Sequence, residues 1–311
     1  MMKTFGILTF LVLAVGMAVL PLGIGDYGHG VLVGMMSYIV LASAWALFSG
    51  PTRYVSLATV AFFGIGAYTV AVLADHLPFG AILVVAGSIG LCVALLVGLA
   101  TLRLAGIYFV IFSFGLAELV RQLITWFETS VNHTLGRYIF IEVSTAQIYW
   151  MLLGLGIITL GLRWWIGNSR LGLAVNAIGD DETVARHAGV NVTGVKLALF
   201  AVSSVLITLA GAIQAPRWTY VEPSIVFNPT ISFMTLVMAL LGGPGRLWGP
   251  VAGAVPLYFL FEWIATRFPD QNAIILGLVF VAIVFLVPGG LLSLIDKWRA
   301  RARAAGEQAH A

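Results

Sequence analysis

Three groups of residues in this sequence have the types and spacing to do chemistry. Glu118 and Arg121 stand three apart inside an apolar stretch, so on a helix they share a face and can neutralise each other. A charged side chain at the centre of a membrane span costs roughly 2.5 to 3.5 kcal/mol, so such a pair faces a water path or a protein partner. Two readings follow: a pair lining a translocation path, or a structural pair at the contact with another subunit. Glu262 has no basic partner within a turn before Arg267, and the same two readings apply to it.

The second group lies in the polar segment from Asn168 to Thr193, which carries the start and stop signals of a short helix. Asp180 is expected to cap it, Asp181 and Glu182 to occupy its first turn, Arg186 and His187 its last, and Gly189 the position just beyond. That order of charges matches the helix dipole at both ends. Val184 and Ala188 would share a small apolar face. Such a helix between two spans can dock into a cleft on another subunit and carry movement as a peg. The plainer reading is a solvated loop.

Glycines form the third group. Gly64 and Gly66 sit in Phe62-Phe-Gly-Ile-Gly-Ala-Tyr68, and Gly245, Gly249 and Gly253 recur every four residues. The four-residue spacing lets helix backbones approach closely, which suits helix packing or a flexible gate.

Other chemistries find no support. The phosphate cradle Gly-x-x-x-x-Gly-Lys-Ser/Thr does not occur, so any nucleotide-driven work is supplied by a partner. Gly23-Ile-Gly-Asp-Tyr-Gly28 fits a dinucleotide pattern, but no strand precedes it. His29, His76 and His133 lack the spacing of a metal site, and no metal or other cofactor is expected on this chain. The lone Cys92 lies in an apolar run and has no partner for a disulfide. The sequence brings no Ser-His-Asp set or carboxylate pair to one side of a membrane.

These residues must be positioned by membrane-spanning helices. With 60% hydrophobic and 9% charged residues, the chain has too little polar surface to coat a soluble globule, for which about 25% charged is usual. Stretches near 20 residues, the length that crosses a bilayer core of about 30 Å, occur at 5 to 22, 29 to 49, 55 to 74, 79 to 101, 106 to 127, 147 to 166, 196 to 215, 229 to 244, 250 to 267 and 272 to 288. The expectation is an all-α polytopic protein of about ten spans. The first is read as an uncleaved helix, and the glycine-rich third and eighth as candidates for broken or re-entrant helices.

With both termini in the cytoplasm, the inner side holds Lys3, Arg53, Arg103, Arg163, Arg170, Arg186, Lys196, Arg246, Lys297, Arg299, Arg301 and Arg303. The outer side holds only Arg137, Arg217 and Arg267, as the positive-inside bias requires. Residues 1–296 then form one membrane domain with an inner loop at 167–195, and 297–311 a short basic tail. No basic stripe interleaved with aromatics suggests nucleic acid.

Four stretches resemble the permeases of bacterial branched-chain amino acid ABC importers, the LivM type. They are Ser56 to Tyr68, Leu102 to Phe109, the inner loop ending in Ala-Gly-Val-Asn-Val-Thr193, and Leu240-Leu-Gly-Gly-Pro-Gly-Arg-Leu-Trp-Gly-Pro-Val-Ala-Gly253. The resemblance runs from about residue 30 to 292. It implies an inner-membrane transport subunit, not an enzyme. Its partners would be a second homologous permease, a periplasmic solute-binding protein and two cytoplasmic ATPases that bind ATP and magnesium. It makes the inner loop the coupling element, with Asp180, Asp181, Glu182, Arg186 and Gly189 at the ATPase interface. The outer loop Thr129 to Gly136 lacks the Thr-Gly-Gly run of many members, which leaves urea, amides and aromatic acids beside branched-chain amino acids as substrates. The rival classes are an ion-driven secondary transporter, which needs ionisable residues in two symmetry-related helices, and a membrane enzyme.

Overall fold

The computed structural model describes residues 25–286 other than Ala105; the expected first span at 5 to 22 and the basic tail lie outside them. The chain runs through α1 (Asp26–Thr52), α2 (Thr59–Leu73), α3 (Phe79–Thr101), α4 (Ile107–Phe127), α5 (Thr145–Gly167), α6 (Arg170–Asp180), α7 (Glu182–His187) and α8 (Val192–Gln214). It continues through α9 (Pro223–Val226), α10 (Thr230–Gly242), α11 (Gly249–Arg267) and α12 (Asn272–Leu286). Among the described residues the one extended pairing is a two-residue antiparallel clamp of β1 (Arg137–Tyr138) on β2 (Tyr220–Val221). Among the described residues, six helical stretches are long and apolar enough to cross a membrane: Tyr27–Thr52, Phe79–Thr101, Ile107–Asn132, Thr145–Gly167, Val192–Arg217 and Pro223–Gly242.

The core is built around α1, α2 and α8. Of the fifteen residues of α2, those from Thr59 to Ala71 are all buried. A Cβ on Gly66 would strike the carbonyl of Thr208, and one on Gly211 the carbonyl of Phe63, so both glycines are required for the two backbones to touch. The helix α4 is the opposite case: most of its surface, including Ile111, Phe112, Leu119 and Leu123, is exposed.

The helices are not broken at the expected glycines: α2 runs unbroken through Gly64 and Gly66, and the Gly242 to Gly249 stretch forms the turn between α10 and α11. After α1 ends at Arg53, which takes up a left-handed conformation (φ 60°), residues 53–58 run without helix before α2 begins. Backbone without helical partners at membrane depth must find others. The Leu57 N–H donates to Ser113 Oγ at 2.9 Å, and the Val60 N–H donates to Ser232 Oγ at 2.9 Å. Ser232 Oγ in turn donates to the Leu57 carbonyl at 2.9 Å, and Trp45 Nε1 to the Ser56 carbonyl at 2.7 Å. Ser232 stands ten residues before the end of α10, so this polar knot lies about 15 Å along the axis from the Gly242 end of that helix. The eighth span breaks between α9 and α10 at Phe227-Asn228-Pro229.

Alternating helix directions sort the described cations between two ends. Arg53, Arg103, Arg163, Arg170, Arg186, Lys196 and Arg246 gather at the end carrying α6 and α7, called here the basic end. Arg137, Arg217 and Arg267 lie at the other.

Candidate functional site

At the basic end, the segment read as one short helix is two. Asp180 is the last residue of α6, a helix the sequence reading did not anticipate, and Asp181 is the cap of α7. A capping residue must leave helical geometry, and Asp181 does so (φ −155°, ψ 115°) while Asp180 continues α6. Asp181 Oδ1 accepts from the Thr183 N–H at 2.7 Å and the Val184 N–H at 3.1 Å. Freed from capping, Asp180 pairs with Arg53 at 2.7 Å on the exposed surface.

The expected apolar face is also corrected. Val184 is 64% exposed, and Ala185 instead turns inward against Ile178 and Val192. The reason is that α7 folds back on α6 and the start of α8, which only the Ala185 side of its short cylinder reaches. Gly189 follows with φ +84°, the left-handed value that favours glycine after a helix end. The peg formed by α6 and α7 therefore exposes Leu173 and Val184 and, on the same two helices, Asp180, Asp181 and Arg186.

The peg is tied to the membrane helices by a buried cation that the sequence reading assigned only to topology. Lys196, in the first turns of α8, is 1% exposed. Its Nζ lies 2.8 Å from Glu182 Oε2 and donates to Tyr54 Oη at 2.8 Å, and it sits 4.0 Å above the centre of the Tyr54 ring. Tyr54 Oη donates to Glu182 Oε2 at 2.9 Å, which closes a triangle. Burial opposes ionisation of Glu182, but the hydrogen bonds from Lys196 and Tyr54 outweigh it and hold its carboxyl below the usual carboxylate range. Burial and the bond to Glu182 push the Tyr54 hydroxyl up to about 12. Arg186 adds a weaker contact to Glu182 at 3.6 Å. A lysine in an apolar helix beside a tyrosine near the end of another was the available signal.

Nearby, Arg163 of α5 donates to the carbonyls of Pro244, Arg246 and Leu247 and so clamps the turn between α10 and α11. Gly245 lies in that turn with open space at its missing Cβ, and its backbone lies near Gly50 of α1. Side chains at Gly249 and Gly253 would meet the backbone carbonyls of Gly243 and Met238. Gly64 faces the Phe227 ring.

Glu118 and Arg121 share a face of α4 as expected, joined twice: Arg121 Nε donates to Glu118 Oε2 at 2.9 Å and Nη2 to Oε1 at 2.5 Å. Gln122 Nε2 adds a third bond at 2.9 Å, and both charged side chains are partly exposed on the outside of the helix. Neither meets the peg. Glu262 lies at the opposite end, 3.5 Å from the Tyr27 hydroxyl. At that end Glu128, 1% exposed, accepts from Asn132 at 2.9 Å and from Arg137 at 2.9 and 3.1 Å.

The family described as "Branched-chain amino acid transport system / permease component" matches residues 28–284. The chain is 26% identical to the high-affinity branched-chain amino acid transport system permease protein LivM of Salmonella typhimurium, over 83% of this chain and 68% of that one. It is 30% identical to the ribose import permease protein RbsC of Escherichia coli over 34% of each chain. A fructose import permease protein, FrcC of Rhizobium meliloti, is 29% identical over 44% of this chain and 38% of its own. No solved structure matches.

Proposed function

Because the chain belongs to the branched-chain amino acid transport permease family and is a multi-pass membrane protein of the LivM type, we propose that it is a permease subunit of an ATP-driven importer in a bacterial inner membrane. It takes branched-chain amino acids or similar small solutes from a periplasmic binding protein and releases them to the cytoplasm. It pairs with a second, related permease, and two cytoplasmic ATPases bind ATP and magnesium and drive the cycle.

The observation that carries this reading is the peg. The basic end is the cytoplasmic one by the positive-inside bias. There α6 and α7 expose apolar Leu173 and Val184 and, on the same two helices, charged Asp180, Asp181 and Arg186. Exposed apolar side chains among charged ones suit a docking surface. Glu182 faces inward and fixes the peg, and Gly189 turns the chain back toward α8. The Glu118 and Arg121 pair is too costly to leave against lipid, so that face of α4 meets the second permease or the water-filled path between the two. The interrupted spans, with their close glycine contacts, supply the moving parts.

The similarity to ribose and fructose import permeases favours, as second reading, a polar solute in place of an amino acid. Purification and reconstitution separate these ideas. Co-elution with an ATPase pair, and ATP-dependent uptake of leucine delivered by the binding protein, are expected. Uptake by this chain alone that collapses with an ionophore would overturn the importer in favour of a secondary transporter.

A further inference from the structure

We infer that Lys196, Tyr54 and Glu182 are positioning residues of the transport cycle, a joint that delivers movement of the peg to the interrupted third span. The inference rests on the reading of the 167–195 loop as the coupling element.

The triangle joins three segments far apart in sequence. Glu182 opens α7, Lys196 belongs to the first turns of α8, and Tyr54 begins the non-helical lead-in to α2. All three of its legs lie between 2.8 and 2.9 Å, so none can lengthen without opening another. The rival tether is the Arg53–Asp180 pair, which is exposed on both sides and screened by water. Opening the triangle leaves a buried ammonium without its carboxylate in a low-dielectric site, which is strongly unfavourable. Of the two tethers, the buried one therefore holds when the peg is pushed.

What the joint grips decides where the push goes. Beyond Tyr54 the lead-in is pinned at Ser56 by Trp45, at Leu57 by Ser113 and Ser232, and at Val60 by Ser232. Four residues of extended chain held at both ends transmit displacement and have little slack to absorb it. Lys196 grips the base of α8, and α8 meets α2 backbone to backbone at Gly66 and Gly211. Force on Glu182 thus reaches α2 twice, along its lead-in and through the helix packed against it. Ser232 carries the same movement to α10, the second interrupted span.

The test uses the complete importer, with its ATPases and leucine-loaded binding protein, in vesicles where ATP hydrolysis and leucine uptake are measured together. Tyr54→Phe keeps the ring beneath Lys196 and removes both bonds of the hydroxyl, the one donated to Glu182 and the one accepted from Lys196; Lys196→Met removes the charge. We expect hydrolysis to stay within about twofold of the unmodified protein while uptake per ATP falls about threefold in Tyr54→Phe and at least about tenfold in Lys196→Met. Adding Glu182→Gln to Lys196→Met should cost no further coupling, because the pair acts as a unit. Uptake and hydrolysis falling in proportion would reduce the triangle to structural support and overturn the joint, as would an unchanged ratio. A Val184→Cys cross-link to the ATPase checks the premise separately. Its absence sinks the coupling reading and the joint together, whereas its presence with an unchanged ratio sinks the joint alone.

Discussion

Each end of the molecule holds a carboxylate in a hydrogen-bonded cluster, and the two are built in opposite ways. Glu128 is the buried member of its cluster at 1% exposure, and its cation Arg137 reaches solvent. At the basic end Lys196 is the buried member, and the carboxylate of Glu182 is 31% exposed. The hydrogen bonds that Glu128 accepts come mostly from the next nine residues, with the Tyr68 hydroxyl of α2 also against the pair, so that cluster chiefly stiffens one loop. The partners of Glu182 come from positions 54 and 196, so that cluster fastens separate elements to one another. Similar chemistry gives mainly a loop brace in one place and a tie between separate elements in the other. The sequence distance that most of its bonds close makes the difference.

The comparison breaks most readily at the exposed partners. Arg137→Leu strands the carboxylate of Glu128 in the interior and should cost about 3 kcal/mol, more than Glu128→Gln, which removes the buried charge itself. Thermal unfolding in detergent measures both, and the reverse order would refute the burial argument. At the basic end Glu182→Gln should cost about 2 kcal/mol and Lys196→Met about 1 kcal/mol, again because the first leaves an unpaired buried charge. Acid sharpens the contrast further. Glu182 has a folded-state pKa below its ordinary value of about 4.3, so its contribution is complete above that value and is lost as pH falls through the lowered one. Hydrogen exchange of the 182–187 amides, compared between pH 6 and pH 3, should show α7 loosening at the acid end; equal protection would remove Glu182 as its anchor. The smallest effect on stability is at the tip. Val184→Ser should shift unfolding by less than about 0.5 kcal/mol yet weaken ATPase association in pull-down, and unchanged association would displace the docking surface.

Much of the helix pattern was legible because lipid imposes a length and a composition. The expected spans at 79 to 101, 106 to 127 and 147 to 166 lie within two residues of α3, α4 and α5. Glycine content pointed to neither break, at 53–58 nor at 227–229, nor to the hydroxyls from α4 and α10 that replace the missing helical bonds at Leu57 and Val60, since those partners are 56 and 172 residues away. In the peg, the charge pattern located a helix but misplaced its cap by one residue. Two adjacent aspartates offer the same side chain, and only the backbone turn at Asp181 decides between them. The role of Lys196 was hidden because a lysine near a span end ordinarily reaches for the headgroups. Nothing in the local sequence shows that Tyr54 and Glu182 wait for it inside.

The close wrapping of α2 has a consequence for the membrane itself. Fifteen residues make a rod of about 22 Å, some 8 Å shorter than the hydrocarbon layer it sits in. A lone segment of that length would thin the surrounding lipid or tilt its neighbours, but α2 is enclosed by protein from Thr59 to Ala71. Whatever repositions it works against packed protein, so its travel should be nearly indifferent to chain length in the host lipids, whereas the outward-facing α4 must adapt whenever the bilayer thickens.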